Sequence, residues 1–289
     1  INYMPELPEV EVVKKSLEKK IKNFTIKKVS ILNNKLRYRV EKKKFTKITN
    51  QKIVSIKRRS KYLLLELTKN ITILIHLGMT GKFFIIDREN IKYKTSFYYN
   101  LKKIDKHDHI IFYLNKKTKL IYNDIRKFGF VKILKTDKIN LNSHLKFLGP
   151  EPLSKNFNKN YFKNYIKNKK KKIKDLLMDQ KFVSGLGNIY CNEILFLSKI
   201  SPFRLLNKIS QNECAKIVVN TKKILIKSIK NGGSSIKDFD NDGVAGSFQE
   251  LFNVYGRENN NCSSKRCSNI ITKAYISGRS SFFCLSCQK

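Results

Sequence analysis

The chain has 289 residues, with 61 Lys and Arg against 22 Asp and Glu, a formal net charge of +39 and six cysteines. That length holds one large or two medium domains with real cores, and a charge of that size calls for a polyanionic partner such as nucleic acid. The composition excludes a helical membrane protein, since no run of about 18 apolar residues occurs. It also excludes a disulfide scaffold, and the first residues lack the apolar core of a signal peptide.

The charge is mostly lysine: 51 Lys stand against 10 Arg. With abundant Asn and Ile this is the bias of an AT-rich genome, so part of the charge belongs to solvated surface.

Near the start stands Met4-Pro5-Glu6. If translation begins at Met4 and that Met is removed, Pro5 carries a secondary amine able to attack an electrophilic carbon and collapse to an iminium ion. Glu6 beside it is a candidate proton carrier. The same residues also suit the opening of a helix. That helix is expected over residues 8–18, with Val10, Val13 and Leu17 on one face. From about 24 to 135 the pattern turns to short strands: Tyr62–Leu67, Ile71–Leu77, Phe83–Ile86, His109–Leu114 and Phe130–Leu134. Gly78-Met79-Thr80-Gly81 joins two of them like a turn. An antiparallel sandwich or barrel follows.

Leu148-Gly149-Pro150-Glu151-Pro152 marks a linker, expected over 144–155. After it come helical patterns at 160–168, 173–180, 189–198 and 212–231. A turn-rich connector at 182–188 separates the second from the third, and Asn188 is expected as the N-cap of that third helix, where free N–H groups can meet a phosphate. Near the C-terminus, Cys262-x4-Cys267-x16-Cys284-x2-Cys287 is the spacing of a four-thiolate zinc ribbon, with room for a hairpin between the pairs. Such a zinc is structural, because no ligand position is left open. The division is therefore α+β: an N-terminal antiparallel β-sandwich flanked by helices (4–143), a helix-two-turn-helix domain (156–250) and a zinc ribbon (251–289).

Eight collinear motifs resemble those of the bacterial formamidopyrimidine-DNA glycosylases. They are Met4–Glu11, Arg58–Glu66, His76–Gly81, Lys106–His109, Asp124–Gly129, Leu148–Leu153, Gly185–Tyr190 and Val254–Arg257, followed by the four-cysteine finger. The resemblance implies a base-excision repair enzyme that removes 8-oxoguanine and formamidopyrimidines from duplex DNA. It also implies AP lyase activity, cleaving the strand by β,δ-elimination through a proline Schiff base. Pro5 then resembles the nucleophile and Glu6 the general acid/base. Lys61 resembles the lysine at the lesion phosphate, and Arg279 the finger arginine that assists elimination. Met79, Arg126 and Phe128 resemble the trio that fills the gap left by a flipped base. His107, Lys174 and Asn188 resemble DNA contacts, whereas His109 supports the β domain. Cys262, Cys267, Cys284 and Cys287 resemble the ligands of one structural Zn2+, and Asp238–Glu250 resembles the loop that closes over the base. The expected partner is double-stranded DNA with oxidised purines or abasic sites. No membrane is involved, and the protein is expected as a monomer. Its location would be the bacterial cytoplasm, or an organelle if the source is eukaryotic.

Several positions depart from the pattern. Ile1–Tyr3 precede Met4, and the chemistry requires everything through Met4 to be removed. Ile125 and Lys127 replace Pro and Arg, Val244 stands where relatives carry lysine, and the first cysteine pair has four intervening residues. An endonuclease VIII-like enzyme for oxidised pyrimidines and a non-catalytic, zinc-containing binder of damaged DNA are the rival readings.

Overall fold

The computed structural model describes residues 4–86, 92–94, 105–233 and 248–289. Ile1–Tyr3 and the expected closing loop up to residue 247, with Gly243, Val244 and Gly246, lie outside them. Among the described residues the chain forms two compact units. One runs to Lys146 and takes in residues 231–233; the other comprises Phe147–Lys230 and Phe248–Lys289. No helix among the described residues is long and apolar enough to cross a membrane.

In the first unit, helix α1 (Leu7–Ile21) begins at a capping box. The Glu6 N–H donates to Glu9 Oε2 at 2.9 Å, and the Glu6 side chain accepts from the first turn. Pro8 in the first turn needs no N–H partner. The strands are β1 (Ile26–Ile31), β2 (Ile53–Arg59), β3 (Tyr62–Leu67), β4 (Ile71–His76), β5 (Gly81–Ile86), β6 (Lys92–Lys94), β7 (Asp108–Leu114), β8 (Lys119–Asp124) and β9 (Phe130–Lys135), with a one-turn helix α2 (Lys42–Phe45) between β1 and β2. They make a five-stranded sheet, β1-β7-β8-β5-β6, and a four-stranded sheet, β2-β3-β4-β9. Every pairing is antiparallel.

The period-2 pattern decides which residues meet between the sheets. Leu63, Leu65, Ile73, Ile75, Val131 and Ile133 from one sheet share a buried cluster with Phe83, Ile85, Ile110, Phe112 and Tyr122 from the other. Val10, Val13 and Leu17 of α1 complete it, as α1 packs on β2 and β3.

One turn differs from its expected form. β4 and β5 lie in different sheets, so Leu77–Thr80 is a corner carrying the chain from sheet to sheet and not a hairpin. Residues 125–129 make the same crossing between β8 and β9. His76 pairs with Phe130 and Gly81 with Asp124, so the two corners begin and end side by side. The missing side chain of Gly78 permits that contact. Its φ is +62°, and a Cβ there would stand 2.5 Å from Gly129 N.

The second unit holds α3 (Lys159–Ile166), α4 (Ile173–Met178), α5 (Asn188–Ser198), α6 (Gln211–Lys230) and the hairpin β10 (Thr272–Ile276)–β11 (Arg279–Phe283). Asn158 caps α3 by accepting from Tyr161 N at 2.9 Å. Ser210 and Glu213 form a reciprocal capping box on α6. Nearly all of α5 is buried, with α4, α6 and β11 packed around it. α4 stops at Met178, short of the expected 180, because Asp179 turns to an extended ψ of 111°.

A buried acid ties the ribbon to this helical body. Glu193 on α5 is 0% exposed, and its oxygens accept from Asn253 N, Asn253 Nδ2, Val254 N and Tyr255 N, each at 2.9 Å. Arg257 then donates to the carbonyls of Phe252, Asn253 and Asn261. Glu193→Gln keeps the shape but turns an amide N–H2 towards N–H donors. It is expected to cost about 3 kcal/mol or more, read as a lower urea midpoint and faster release of ribbon-bound metal to a chelator.

Candidate functional site

In the first unit the sheet-crossing corners carry Met79, Arg126 and Phe128 to one place. With Met4, Arg37 and His76 they line an open cleft of about 620 Å³. Phe128 and Met4 are each 45% exposed. The Arg126 guanidinium lies over the Phe128 ring, 4.6 Å from its centroid, which keeps the cation on the apolar face at little cost in hydration. An exposed phenyl, a thioether and a guanidinium on rigid corners can enter a gap between stacked bases and donate to an unpaired base.

Buried polar groups hold these corners. Asp124, 0% exposed, accepts from Thr80 Oγ1 at 2.5 Å and from Gly129 N at 2.8 Å. Thr80 Oγ1 in turn accepts from Arg126 N at 2.9 Å. His109 is buried and bonds through Nε2 to Asp124 O at 2.8 Å, a scaffold position, as expected. His107 is partly exposed in a single 3-10 turn before β7.

Met4 on the cleft rim is the residue before Pro5, which is buried, as is Glu6 at 3% exposure. Lys61 sits at the β2–β3 turn beside Ser60, whose φ is +56°. Arg58 fixes that turn: its Nη1 donates to Ser60 O at 3.0 Å and its Nε donates to Glu11 Oε2 at 2.7 Å on α1. One ion pair therefore links the helix that opens at Glu6 to the hairpin that carries Lys61.

His76 was not singled out from the sequence. Its Nδ1 accepts from Gly78 N at 3.0 Å, and its ring stacks on Phe130 with centroids 5.7 Å apart. Burial pushes the His76 pKa down to about 3, and the charges of Lys61, Arg37 and His144 act in the same direction. A neutral ring is what an acceptor at Nδ1 requires.

In the second unit Arg279 is exposed at the start of β11, beside a tight turn made by Ser277 and Gly278 with φ of 49° and 72°. Tyr275 is 68% exposed on the partner strand. Lys273 pairs with Glu258 at 3.0 Å. Asn188, expected as the N-cap, is instead the first residue of α5 and partly exposed; Gly187 holds the cap position in extended backbone, and the Asn188 side chain donates to Ser280 O at 3.0 Å. Lys174 is placed otherwise than expected. It is 1% exposed, with Nζ 2.8 Å from Ser280 O and 2.7 Å from Ser281 Oγ. Its position on the short helix α4 aims it at the hairpin.

The sulfurs of Cys262, Cys267, Cys284 and Cys287 lie within 4.8 Å of one another. Cys262 and Cys287 are 3.8 Å apart, and Cys267 and Cys284 3.6 Å. A tetrahedron of thiolates about 2.3 Å from zinc has sulfur–sulfur edges of about 3.8 Å, so the set fits that ion. The four-residue spacer does not spoil the geometry: Cys262 N donates to Asn269 O at 2.8 Å and Cys267 N to Ser264 O at 3.0 Å, closing a compact knuckle.

A basic chain with an exposed rim of Met79, Arg126 and Phe128 on one cleft, and a capped helix pair with a four-cysteine ribbon, points to a class: DNA-binding proteins. Comparison with known proteins narrows it. Residues 4–131 match the N-terminal domain of formamidopyrimidine-DNA glycosylase, and residues 148–240 match its H2TH domain. The chain is 37% identical to a formamidopyrimidine-DNA glycosylase of Roseobacter denitrificans and 39% identical to one of Rickettsia bellii. Each alignment spans 99% of this chain and 100% of the relative. Among solved structures, a complex of Lactococcus lactis Fpg with DNA containing an abasic site matches with a TM-score of 0.85 and 34% identity, over 98% of this chain and 99% of that one. A complex of a Lactococcus lactis Fpg mutant with Fapy-dG DNA matches equally, over 99% of this chain and 100% of that one. The chain belongs to the formamidopyrimidine-DNA glycosylase family, the DNA glycosylases of base-excision repair.

Two outcomes follow. The purified protein is expected to hold one zinc per chain by elemental analysis, and Cys284→Ser to lose it together with ribbon order in heteronuclear NMR spectra. For His76, the folded pKa lies below the ordinary value, so the folded state binds fewer protons between about pH 6.5 and pH 3. Stability is therefore lost as pH falls through that window. His76→Asn, whose amide oxygen can accept from Gly78 N without titrating, is expected to give a shallower fall of melting temperature with acidification. An unchanged slope would place the acid sensitivity elsewhere.

Proposed function

We propose that the protein is a bifunctional glycosylase and AP lyase that removes 8-oxoguanine and formamidopyrimidines from duplex DNA. The observation that carries the reading is the cleft where Met79, Arg126 and Phe128 share a rim with Met4, the residue directly before Pro5. The group that fills an emptied stack and the amine that attacks the sugar then belong to one small region.

In this reading, removal of residues through Met4 frees the Pro5 nitrogen. A base inside the duplex is out of reach, so it is first extruded while the trio occupies its place. The nitrogen lone pair forms a bond to C1′, the glycosidic bond breaks, and the base leaves with a proton. Ring opening gives an iminium between Pro5 and the deoxyribose. The iminium acidifies C2′; loss of that proton breaks the 3′ C–O bond, and a second elimination breaks the 5′ C–O bond. Glu6 carries protons to and from the sugar. Lys61 and the N–H groups that open α5 at Asn188 hold phosphates flanking the lesion, His107 adds a contact to the DNA, and Arg279 supports the eliminations. Zinc, when bound, supplies only order to the ribbon. The protein acts as a monomer in the bacterial cytoplasm, on nucleoid DNA.

Borohydride trapping tests this directly. Protein whose mature N-terminus is Pro5 is expected to form a covalent adduct with an 8-oxoguanine or abasic duplex, and protein retaining Met4 to form none. Glu6→Gln is expected to slow base release by about 10²- to 10⁴-fold. Faster cleavage of thymine-glycol duplexes would move the substrate to oxidised pyrimidines. Tight binding without any adduct would leave a non-catalytic damage binder.

A further inference from the structure

Lys174 and Asn188 resemble DNA contacts, yet both side chains converge on one carbonyl of the ribbon. Lys174 Nζ lies 2.8 Å and Asn188 Nδ2 3.0 Å from Ser280 O. Asn192, one turn further along α5, accepts from Phe282 N at 2.9 Å and donates to Asn188 O at 2.6 Å. Arg279 pairs with Ile276 across the tight turn, so the N–H and C=O groups of Ser280 and Phe282 point away from β10. That outer edge has no strand beside it among the described residues. Side chains of α4 and α5 take the place of one.

The thiolate cluster does not by itself aim Arg279. Arg279 lies five positions before the nearest ligand in sequence, Cys284, and next to the Ser277–Gly278 turn. A two-stranded hairpin is marginal on its own in water. A buried ammonium is costly unless its donors are fully used. Once bonded to a carbonyl and a hydroxyl it makes a charge-assisted contact, roughly twice as strong as a neutral one.

We propose that Lys174, Asn188 and Asn192 are positioning residues: by occupying the outer edge of β11 at Ser280–Phe282 they fix the direction in which Arg279 leaves the hairpin. The proposal rests on the reading of Arg279 as a residue acting on the DNA.

The test uses the zinc-loaded protein running from Pro5 to Lys289. Lys174→Met is expected to keep one zinc per chain while the Phe282 amide exchanges at least tenfold faster. Single-turnover trapping on an abasic duplex should slow between about tenfold and a hundredfold, the scale of a misaligned catalytic group. The double variant Lys174→Met/Arg279→Ala should be no slower than Arg279→Ala alone. Ser281→Ala, which removes one acceptor and leaves the rest of the hairpin intact, should move both readouts the same way by a few-fold; it decides the matter if Lys174→Met does not fold. A trapping rate unchanged in Lys174→Met or in Ser281→Ala would overturn the proposal. So would a Lys174→Met loss that multiplies fully with that of Arg279→Ala, since Lys174 would then act separately. If Arg279→Ala itself traps at the normal rate while exchange at Phe282 still rises in Lys174→Met, the role given to Arg279 in the proposed function fails, while the hold of Lys174 on the outer edge of β11 stands.

Discussion

The carboxylate of Asp124 is the constraint on which the β-rich unit's working surface depends. It lies with no exposure at the point where two sheets exchange their strands, and it accepts from both corners, through Thr80 and Gly129. A buried carboxylate is tolerated only where donors surround it. Here those donors come from the two segments that must stay side by side. Strand register brings the corners together, and Asp124 locks them. The large exposed side chains of Phe128 and Arg126 lean on each other above a backbone that these buried bonds hold.

The second unit repeats this logic with different chemistry. Glu193 gathers four donors from the segment that leads into the ribbon, and Lys174 gives its ammonium to the hairpin beyond it. Each buried charge has its partners on a distant stretch of chain. Exposed side chains on both units are thus set by buried groups beneath them. The four cysteine sulfurs gather at the base of the ribbon, and polar contacts from α4 and α5 hold the hairpin beyond it.

Much of this was legible in the sequence where the determining physics is local. The helices expected at 8–18, 189–198 and 212–231 follow from periodicity and form at 7–21, 188–198 and 211–230, and the cysteine spacing announces a tetrahedral cluster because ligand geometry constrains short segments. The corner at Gly78–Gly81 was legible as a turn, but period-2 alternation carries no record of which sheet a strand joins. Nor does a lysine in a lysine-rich chain reveal that its ammonium is buried; the partners of Lys174 stand more than 100 positions away. His76 and Asp124 were missed as determinants for the same reason. Each bonds to groups brought near only by the assembled sandwich.

The contact between Arg58 and Glu11 has a bearing on how such a gene tolerates its own base composition. With 51 Lys and 10 Arg, the chain carries its positive charge mostly as ammonium. Three of the ten arginines stand where a planar group is used as such: Arg58 between a helix and a hairpin, Arg257 across three carbonyls, Arg126 over an aromatic ring. A point charge on a flexible stem cannot reproduce those geometries. At these three positions the bias toward lysine meets a geometric limit, because each guanidinium is held by its shape as well as its charge.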